Sequence, residues 1–156
     1  MFAKPFLAAL DNHSDGVTAL AKSRGNLIDM LSGSADGEIM FWNMPERRAT
    51  FQINAHQGFV RGLAFAKNHP LSADTNFVST GGDNKVCIWS LNSLKKQLME
   101  HREKDHPDTM FRNYKPRATY VSKNSVMGCD HNYAEDCFVT AGSVVQVWNY
   151  ERSSPL

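Results

Sequence analysis

The chain has 156 residues and a mass of 17.5 kDa, with 42% hydrophobic and 21% charged residues. These values predict one soluble globular domain and exclude a largely disordered protein, which needs low hydrophobicity and a large charge imbalance. Seventeen Lys and Arg residues against sixteen Asp and Glu residues give a net charge of +1, so charge alone predicts no class of partner. Apolar runs are too short for a membrane span, and no membrane partner is expected.

Cysteine usage indicates a reducing compartment. The chain has three cysteines, which is an odd number, at Cys87, Cys129 and Cys137. No two of them have Cys-x-x-Cys spacing, so neither disulfides nor a zinc site is predicted. We expect all three to be small buried hydrophobic residues, a common role of free cysteine.

The predicted elements begin with an outer strand of a preceding sheet at Phe6–Leu10. Hairpin turns are then expected at Asp36-Gly37 and Asp83-Asn84, because both dipeptides lie between alternating apolar runs. That alternation predicts strands with one buried face. In the first part of the chain the predicted strand residues are Val17, Leu20, Ile39, Phe41 and Thr50–Ile53. In the part that follows they are Leu63, Phe65, Val86 and Ile88.

Two segments of the chain repeat each other. Leu31–Asn43 and Val78–Ser90 each place a Ser four residues before an Asp and a Trp six residues after that Asp. His13 and His56 precede these segments and lie 43 residues apart. This spacing matches the period of roughly 40–45 residues that is typical of a four-stranded propeller blade.

Helical patterning is weaker than strand patterning. Leu91, Leu94 and Leu98 have roughly helical spacing, so a short helix at Leu91–Met99 is kept as the less favoured alternative to an irregular segment. The residues that follow, 101–125, are interpreted as a basic polar insertion.

A third unit is degenerate. Phe138–Asn149 keeps the strand–turn–strand pattern with a turn two residues shorter, after an inner strand predicted at Val126–His131. Gly142 stands at the position of the Asp and Ser122 at that of the His. Their joint loss indicates that His and Asp hydrogen-bond to each other, because a half-buried His needs its acceptor. The predicted organisation is 1–12 as the outer strand of a preceding blade, 13–55 as repeat one, 56–100 as repeat two, 101–125 as the insertion and 126–156 as repeat three.

These residues resemble the WD-repeat β-propeller family. The expected fold is therefore all-β, a partial propeller of about three blades of four-stranded antiparallel sheet. The resemblance implies that one His, one hydroxyl residue, one Asp and one Trp of each blade form a hydrogen-bonded structural tetrad. The matching residues are His13, Ser32, Asp36 and Trp42; His56, Ser79, Asp83 and Trp89; and, in the third unit, Thr140 and Trp148.

Propellers close with about four to eight blades, so three open blades would expose sheet faces that are normally covered. We therefore expect a fragment, a truncated product, or a chain that is completed by other copies or partners. The sequence leaves these three alternatives open.

A closer similarity is to the SOF-domain group of WD-repeat proteins. It rests on Phe2–Phe6, Asp15–Val17, Ala55–Gly62 and Trp148–Pro155. The resemblance implies a non-enzymatic scaffold of ribosome biogenesis in the nucleus and nucleolus. Its partners would be proteins of the small-subunit processome, together with pre-ribosomal or small nucleolar RNA.

The same group implies an alternative, since animal members are described as substrate receptors of a cullin-4 ubiquitin ligase. Such receptors carry a Trp-Asp-x-Arg signature. Neither Trp42–Pro45 nor Trp148–Arg152 matches it, so the ribosomal hypothesis is preferred.

Two sets of residues are candidate binding sites. The segment Thr109–Cys129 has no acidic residue and interleaves cations with aromatic side chains, a combination used to bind single-stranded RNA. A solvated insertion is the more favoured interpretation of this segment. Phe59 and Arg61 lie where an inner strand begins, and these residue types anchor protein interfaces, although Phe59 is equally compatible with packing. The RNA candidates are Arg112, Tyr114, Lys115 and Arg117.

No catalytic, metal or cofactor site is predicted. The His, Ser and Asp of the tetrads recur, whereas a catalytic constellation occurs once. Cys129 and His131 share a strand face with Asp130 opposite, but no further ligand pair has zinc spacing. The sequence therefore predicts a binding protein without a small-molecule substrate.

Overall fold

The computed structural model describes residues 7–25, 27–66, 75–102, 114–132 and 134–150. Three antiparallel sheets and one helix account for their regular structure, which confirms the predicted all-β partial propeller. In these ranges no helix is long and apolar enough to cross a membrane.

Each sheet is a meander in which strands that follow one another along the chain are paired. Sheet one and sheet two have four strands, and sheet three has three within the described residues. Sheet one contains β1 (Val17–Lys22), β2 (Asp29–Ser34), β3 (Glu38–Asn43) and β4 (Arg48–Asn54). Sheet two contains β5 (Val60–Phe65), β6 (Asn76–Gly81), β7 (Lys85–Ser90) and β8 (Ala118–Val121), with α1 (Leu91–Arg102) between β7 and β8. Sheet three contains β9 (Val126–Asn132), β10 (Cys137–Gly142) and β11 (Val145–Asn149).

The hairpins between second and third strands use the predicted turn residues. Gly37 has a φ of 93° and Asn84 a φ of 57°, both in the left-handed region that favours Gly and Asn. Gly37 is also needed for space, because a Cβ there would lie 2.0 Å from the carbonyl oxygen of His56. The turn after repeat one's second strand is thus fitted against the start of repeat two.

The strand register relates the three sheets position by position. The hydroxyl residues Ser32, Ser79 and Thr140 each lie opposite an inner-strand residue, and each inner strand has a register shift near its start. The corresponding inner-strand residues are Val17, Thr18, Leu20, Ala21 and Lys22 in β1, Val60, Arg61, Leu63, Ala64 and Phe65 in β5, and Val126, Met127, Cys129, Asp130 and His131 in β9.

The sheets pack face to face through two apolar clusters. Between sheets one and two, Phe41 meets Phe65 edge-on with ring centroids 6.3 Å apart. Between sheets two and three, Ile88 packs in one cluster with Phe138 and Trp148. Large aromatic side chains lie in both clusters, and residues of this kind bury much apolar area each.

Inner strands of neighbouring sheets run side by side and are joined by a repeated hydrogen bond. Thr18 Oγ1 donates to the carbonyl oxygen of Val60 at 2.6 Å, and Arg61 Nη1 donates to that of Val126 at 3.0 Å. Donors and acceptors occupy equivalent positions in both pairs. The close approach also requires glycine, since a Cβ at Gly62 would lie 2.6 Å from the backbone nitrogen of Cys129.

Helix α1 replaces the irregular segment that the sequence favoured. Leu91 and Leu94 are buried in the first cluster and Leu98 packs against it, so the weak leucine spacing does mark a helical apolar face. Ser90 caps the helix, because its Oγ accepts the backbone N–H of Ser93 at 3.1 Å.

Two further segments differ from the sequence interpretation. Leu7–Leu10 form no strand, and Phe6 lies outside the described residues. The segment 101–125 is not simply an insertion, since it contains β8, which pairs with β7 and completes sheet two. A short strand after a long connection has little sequence signal of its own.

Replacing Gly62 with Ala should lower the free energy of unfolding by about 1–3 kcal/mol, because a Cβ there would force β5 and β9 apart. Urea denaturation measures this change. Gly16→Ala is the matched control, since nothing lies within 4 Å of a Cβ at Gly16. Equal losses in both variants would contradict the close approach of the inner strands.

Candidate functional site

Sheet two contains a complete chain of hydrogen bonds through its predicted tetrad. Trp89 Nε1 donates to Ser79 Oγ at 2.9 Å. Ser79 Oγ lies 2.8 Å from His56 Nε2, and His56 Nδ1 lies 3.0 Å from Asp83 Oδ1. With the indole donating to Ser79, the consistent arrangement has the hydroxyl donating to Nε2 and Nδ1–H donating to the carboxylate.

The surroundings keep His56 neutral. Burial lowers the pKa of the His56 imidazole, and this outweighs the nearby Asp83 carboxylate, which acts to raise it. Burial acts to raise the pKa of Asp83, but the backbone N–H of Gln57 and the His56 ring hold it below its usual value. A neutral ring can accept from Ser79 and donate to Asp83 at once, as the hydrogen-bond chain requires.

Sheet one keeps only part of this network. Ser32 Oγ lies 2.6 Å from His13 Nε2 and accepts the Trp42 indole N–H at 2.6 Å. The expected bond between His13 and Asp36 is absent among the described contacts, so this prediction was wrong. Asp36 instead accepts from Ser14 Oγ at 2.6 Å, from Ser34 Oγ and from the backbone N–H of Glu38 at 3.2 Å.

Glu38 faces the His13 ring in place of Asp36. Its Oε2 lies 3.9 Å from His13 Nδ1, both side chains are buried, and neither atom has a hydrogen-bond partner among the described residues. Burial lowers the pKa of His13, against the opposite effect of Glu38 and then Asp36. Sequence analysis missed Glu38, which occupies the position of Lys85 in sheet two.

Sheet three retains only the indole–hydroxyl pair. Trp148 Nε1 donates to Thr140 Oγ1 at 2.9 Å. Ser122 Oγ, at the former His position, instead accepts the backbone N–H of Asn124 at 3.1 Å. The ring of Tyr120 on the outer strand of sheet two stacks on Trp148 at 5.2 Å, a contact that the sequence did not predict.

The tetrads are placed for architecture. Ser79 is fully buried, so its hydroxyl cannot reach a substrate. Burial raises the pKa of the Cys87 thiol to about 11 and that of Cys129 to about 12, which keeps both protonated and poorly nucleophilic. No group of three or more His, Cys, Asp or Glu side chains in the described ranges could hold a metal ion.

The candidate RNA-binding residues are divided by the fold. Tyr114 is buried in the first apolar cluster, so its ring is not a platform for a base and this candidate was wrong. Leu91 and Leu94 of helix α1 are buried in the same cluster. Lys115 and Arg117 are exposed beside the outer strand of sheet two, and Arg112 lies outside the described residues.

The two candidate binding residues at the start of β5, Phe59 and Arg61, differ in whether a partner can reach them. Phe59 is 55% exposed at the start of β5 and is available to a partner. Arg61 is engaged within the chain, because its Nη1 donates to the carbonyl of Val126 and lies 3.3 Å from Ser125 Oγ. Its predicted role as an interface anchor is therefore replaced by a bond between sheets two and three.

Replacing Asp83 with Ala should destabilise the fold by about 2–5 kcal/mol, because it leaves the buried His56 Nδ1–H without an acceptor. Asp36→Ala is the matched comparison and should cost about 1 kcal/mol, since Asp36 bonds two serines and not His13. Thermal and urea unfolding measure both changes. Equal costs would contradict the difference between the two networks.

Comparisons with known proteins agree with this architecture. The family model for the WD domain, G-beta repeat, matches residues 4–43 and 47–90, more than half of the chain. Similar proteins include "DDB1- and CUL4-associated factor 13" of Pongo abelii, 36% identical over 156 residues, and of Homo sapiens, 35% identical over 156 residues. The protein of that name from Dictyostelium discoideum is 32% identical over 157 residues.

These matches cover 100% of this chain and 31% of each relative, so the chain spans about a third of the length of the curated relatives. The family match extends over both units that carry a His, a Ser, an Asp and a Trp at the repeat positions. The chain therefore belongs to the WD-repeat family.

Proposed function

We propose that this chain acts by binding other proteins, as an adaptor or scaffold without a catalytic step. The observation that carries the proposal is that His and Ser side chains of sheets one and two, with Asp83 in sheet two, act as structural links within the sheets. Groups of this kind hold a rigid platform whose rim and outer edges remain available to partners.

The first partner that we propose is the DDB1 and CUL4 assembly. The support is similarity along the whole chain to relatives whose name states association with DDB1 and CUL4. The chain has Trp-Asn where such receptors are expected to have Trp-Asp, so the contact would use other residues. Phe59 is the best candidate, because an exposed aromatic ring on a rigid rim is a typical binding anchor.

Purified DDB1 should bind the immobilised chain, and Phe59→Ser should weaken binding about tenfold or more, as expected for an aromatic anchor. Biolayer interferometry measures the dissociation constants. Leu27→Ser is the matched control, because Leu27 is an apolar residue that is 93% exposed. It lies after the end of the inner strand β1, whereas Phe59 lies before the start of the inner strand β5. Absence of DDB1 binding would reject this partner, and equal losses in the two variants would reject Phe59 as the anchor.

The second candidate function is a scaffold of ribosome biogenesis in the nucleolus, with RNA as an additional partner. Its support is the resemblance to the SOF-domain group and the exposure of Lys115 and Arg117 on one edge of sheet two. Two exposed cations that are two residues apart provide phosphate contacts of modest strength, and the burial of Tyr114 removes base stacking from this site.

Replacing Lys115 and Arg117 together with Gln should weaken binding of a single-stranded RNA and lower the slope of log affinity against log salt by roughly 1–1.5, because two phosphate contacts are lost. Fluorescence anisotropy at several salt concentrations measures this slope. The control double variant Arg47→Gln, Arg48→Gln removes the same charge from sheet one. An unchanged slope would exclude the patch, and a tagged chain that stays outside the nucleolus would contradict the location.

A further inference from the structure

The outer strand of sheet two, β8, has one open edge. Within the described residues it pairs with β7 alone and is the last strand in the order of its sheet. Sheets one and three pack on the two faces of sheet two, so β8 belongs to the middle of the stack and not to an end of it. Every second residue of an edge strand directs its backbone N–H and C=O away from its one partner. This edge can therefore accept a further strand.

A row of exposed side chains follows this edge. Alternate residues of a strand share one face. From residue 114 to residue 123, every second residue is exposed and the residues between them are buried or half-buried, so the alternation continues on both sides of β8. We call the exposed set the basic stripe. It consists of Lys115, Arg117, Thr119, Val121 and Lys123.

The three cations of the basic stripe are not neutralised within the described part of the chain. None of them forms an ion pair there. The segment Thr109–Cys129, which contains the stripe, has no acidic residue. On the neighbouring helix α1, the carboxylate of Glu100 lies 3.8 Å from Lys96 Nζ and is paired with it. The stripe therefore presents positive charge to a partner.

Gln97 of α1 fixes the start of the basic stripe. Its side-chain Nε2 donates to the carbonyl oxygen of Lys115 at 3.3 Å, and its Oε1 accepts the Lys115 N–H at 3.0 Å. A residue of a neighbouring strand would make the same reciprocal pair of bonds. The backbone at Lys115 is thus held in place before any partner arrives, which lowers the entropy lost on binding.

Val121 favours a peptide over a nucleic acid as the occupant. It is 71% exposed and lies between Thr119 and Lys123 in the stripe. A nucleic acid backbone has a charge at every repeat and would leave this apolar side chain without a matching contact. A peptide can place an apolar residue beside Val121 and carboxylates beside the cations. Lysines on edge strands discourage pairing with most other strands, but an acidic strand supplies the opposite charge.

We propose that β8 binds an extended acidic segment of a partner protein as an added strand, with carboxylates beside Arg117 and Lys123 and an apolar residue beside Val121. Main-chain hydrogen bonds provide the affinity, and the alternate side chains provide the specificity. This inference rests on the proposal that the chain binds other proteins, and it states the chemistry of one such partner. RNA is the competing occupant, since the same cations are its candidate contacts.

A synthetic peptide tests the binding. Its sequence, Glu-Thr-Val-Thr-Thr-Thr-Glu-Thr-Glu, in antiparallel orientation places Glu, Val, Thr, Glu and Glu beside the stripe from Lys123 back to Lys115. Fluorescence anisotropy of the labelled peptide should show saturable binding. A peptide of the same composition with consecutive Glu residues should bind about tenfold more weakly, because consecutive side chains point to opposite faces. No binding, or equal binding of both peptides, would overturn the proposal.

Backbone methylation separates strand addition from simple ionic attraction. Methylating the amide nitrogens of one set of alternate peptide residues removes the donors that face β8, and methylating the other set leaves those donors intact. At equal charge, we expect the first peptide to bind about tenfold or more weakly than the second. Equal affinities of the two methylated peptides would overturn strand addition.

Val121→Lys tests the register. Val121 is exposed, so the melting temperature should not change. A second peptide has Glu in place of Val, and the ratio of the two peptide affinities should shift about tenfold towards this Glu peptide in the variant. Leu27→Lys adds the same charge at an exposed apolar position of sheet one and should leave the ratio unchanged. Equal ratios in the two variants would overturn the pairing at Val121.

The peptide measurements separate this inference from the proposed function. DDB1 binding without peptide binding would overturn the inference and leave the adaptor function standing. Peptide binding without DDB1 binding would support the stripe and reject that partner. Single-stranded RNA binding that Val121→Lys strengthens, without peptide binding, would assign the stripe to RNA and overturn the inference.

Discussion

The hydrogen-bond chain from Trp89 through Ser79 and His56 to Asp83 is the interaction on which the rest of sheet two depends. It joins the segment before the inner strand to the second strand, the third strand and the turn between them. Every link has a donor and an acceptor in a defined order, so it stabilises one arrangement of the strands and not a family of similar ones. The same groups left unpaired in the interior would each cost more than a satisfied bond contributes, which makes the network cooperative.

The three sheets show which part of this network they have in common. The indole-to-hydroxyl bond is present in all of them, as Trp42 to Ser32, Trp89 to Ser79 and Trp148 to Thr140. It fills the face that meets the preceding sheet, so its loss would remove packing and a hydrogen bond together. The His and the carboxylate vary more: His56 bonds Asp83 in sheet two, His13 faces Glu38 in sheet one, and Ser122 and Gly142 stand at these positions in the third unit.

Much of the fold could be predicted from sequence because the determining signals are local. The turn at Asp36-Gly37, the period between His13 and His56 and the alternation of apolar residues each require only a few neighbouring positions. The failures depend on tertiary competition. Asp36 bonds Ser14 and Ser34 and not His13, and Tyr114 is buried in a cluster that also contains apolar residues of α1. Neither outcome follows from residue type or spacing alone.

The two ends of the stack show how such competition also limits what can bind there. Inside the stack, Phe65 and Ala64 occupy positions that Lys22 and Asp130 occupy at the ends. Burying a lone charge against valines would cost more than the apolar contact contributes, although the stem of Lys22 can extend to leave its ammonium in water. Any sheet that packs on Val145 and Val147 must therefore bring a cation or leave Asp130 open to solvent. A purely apolar partner is disfavoured, because it would bury the Asp130 carboxylate without a cation or water to stabilise its charge.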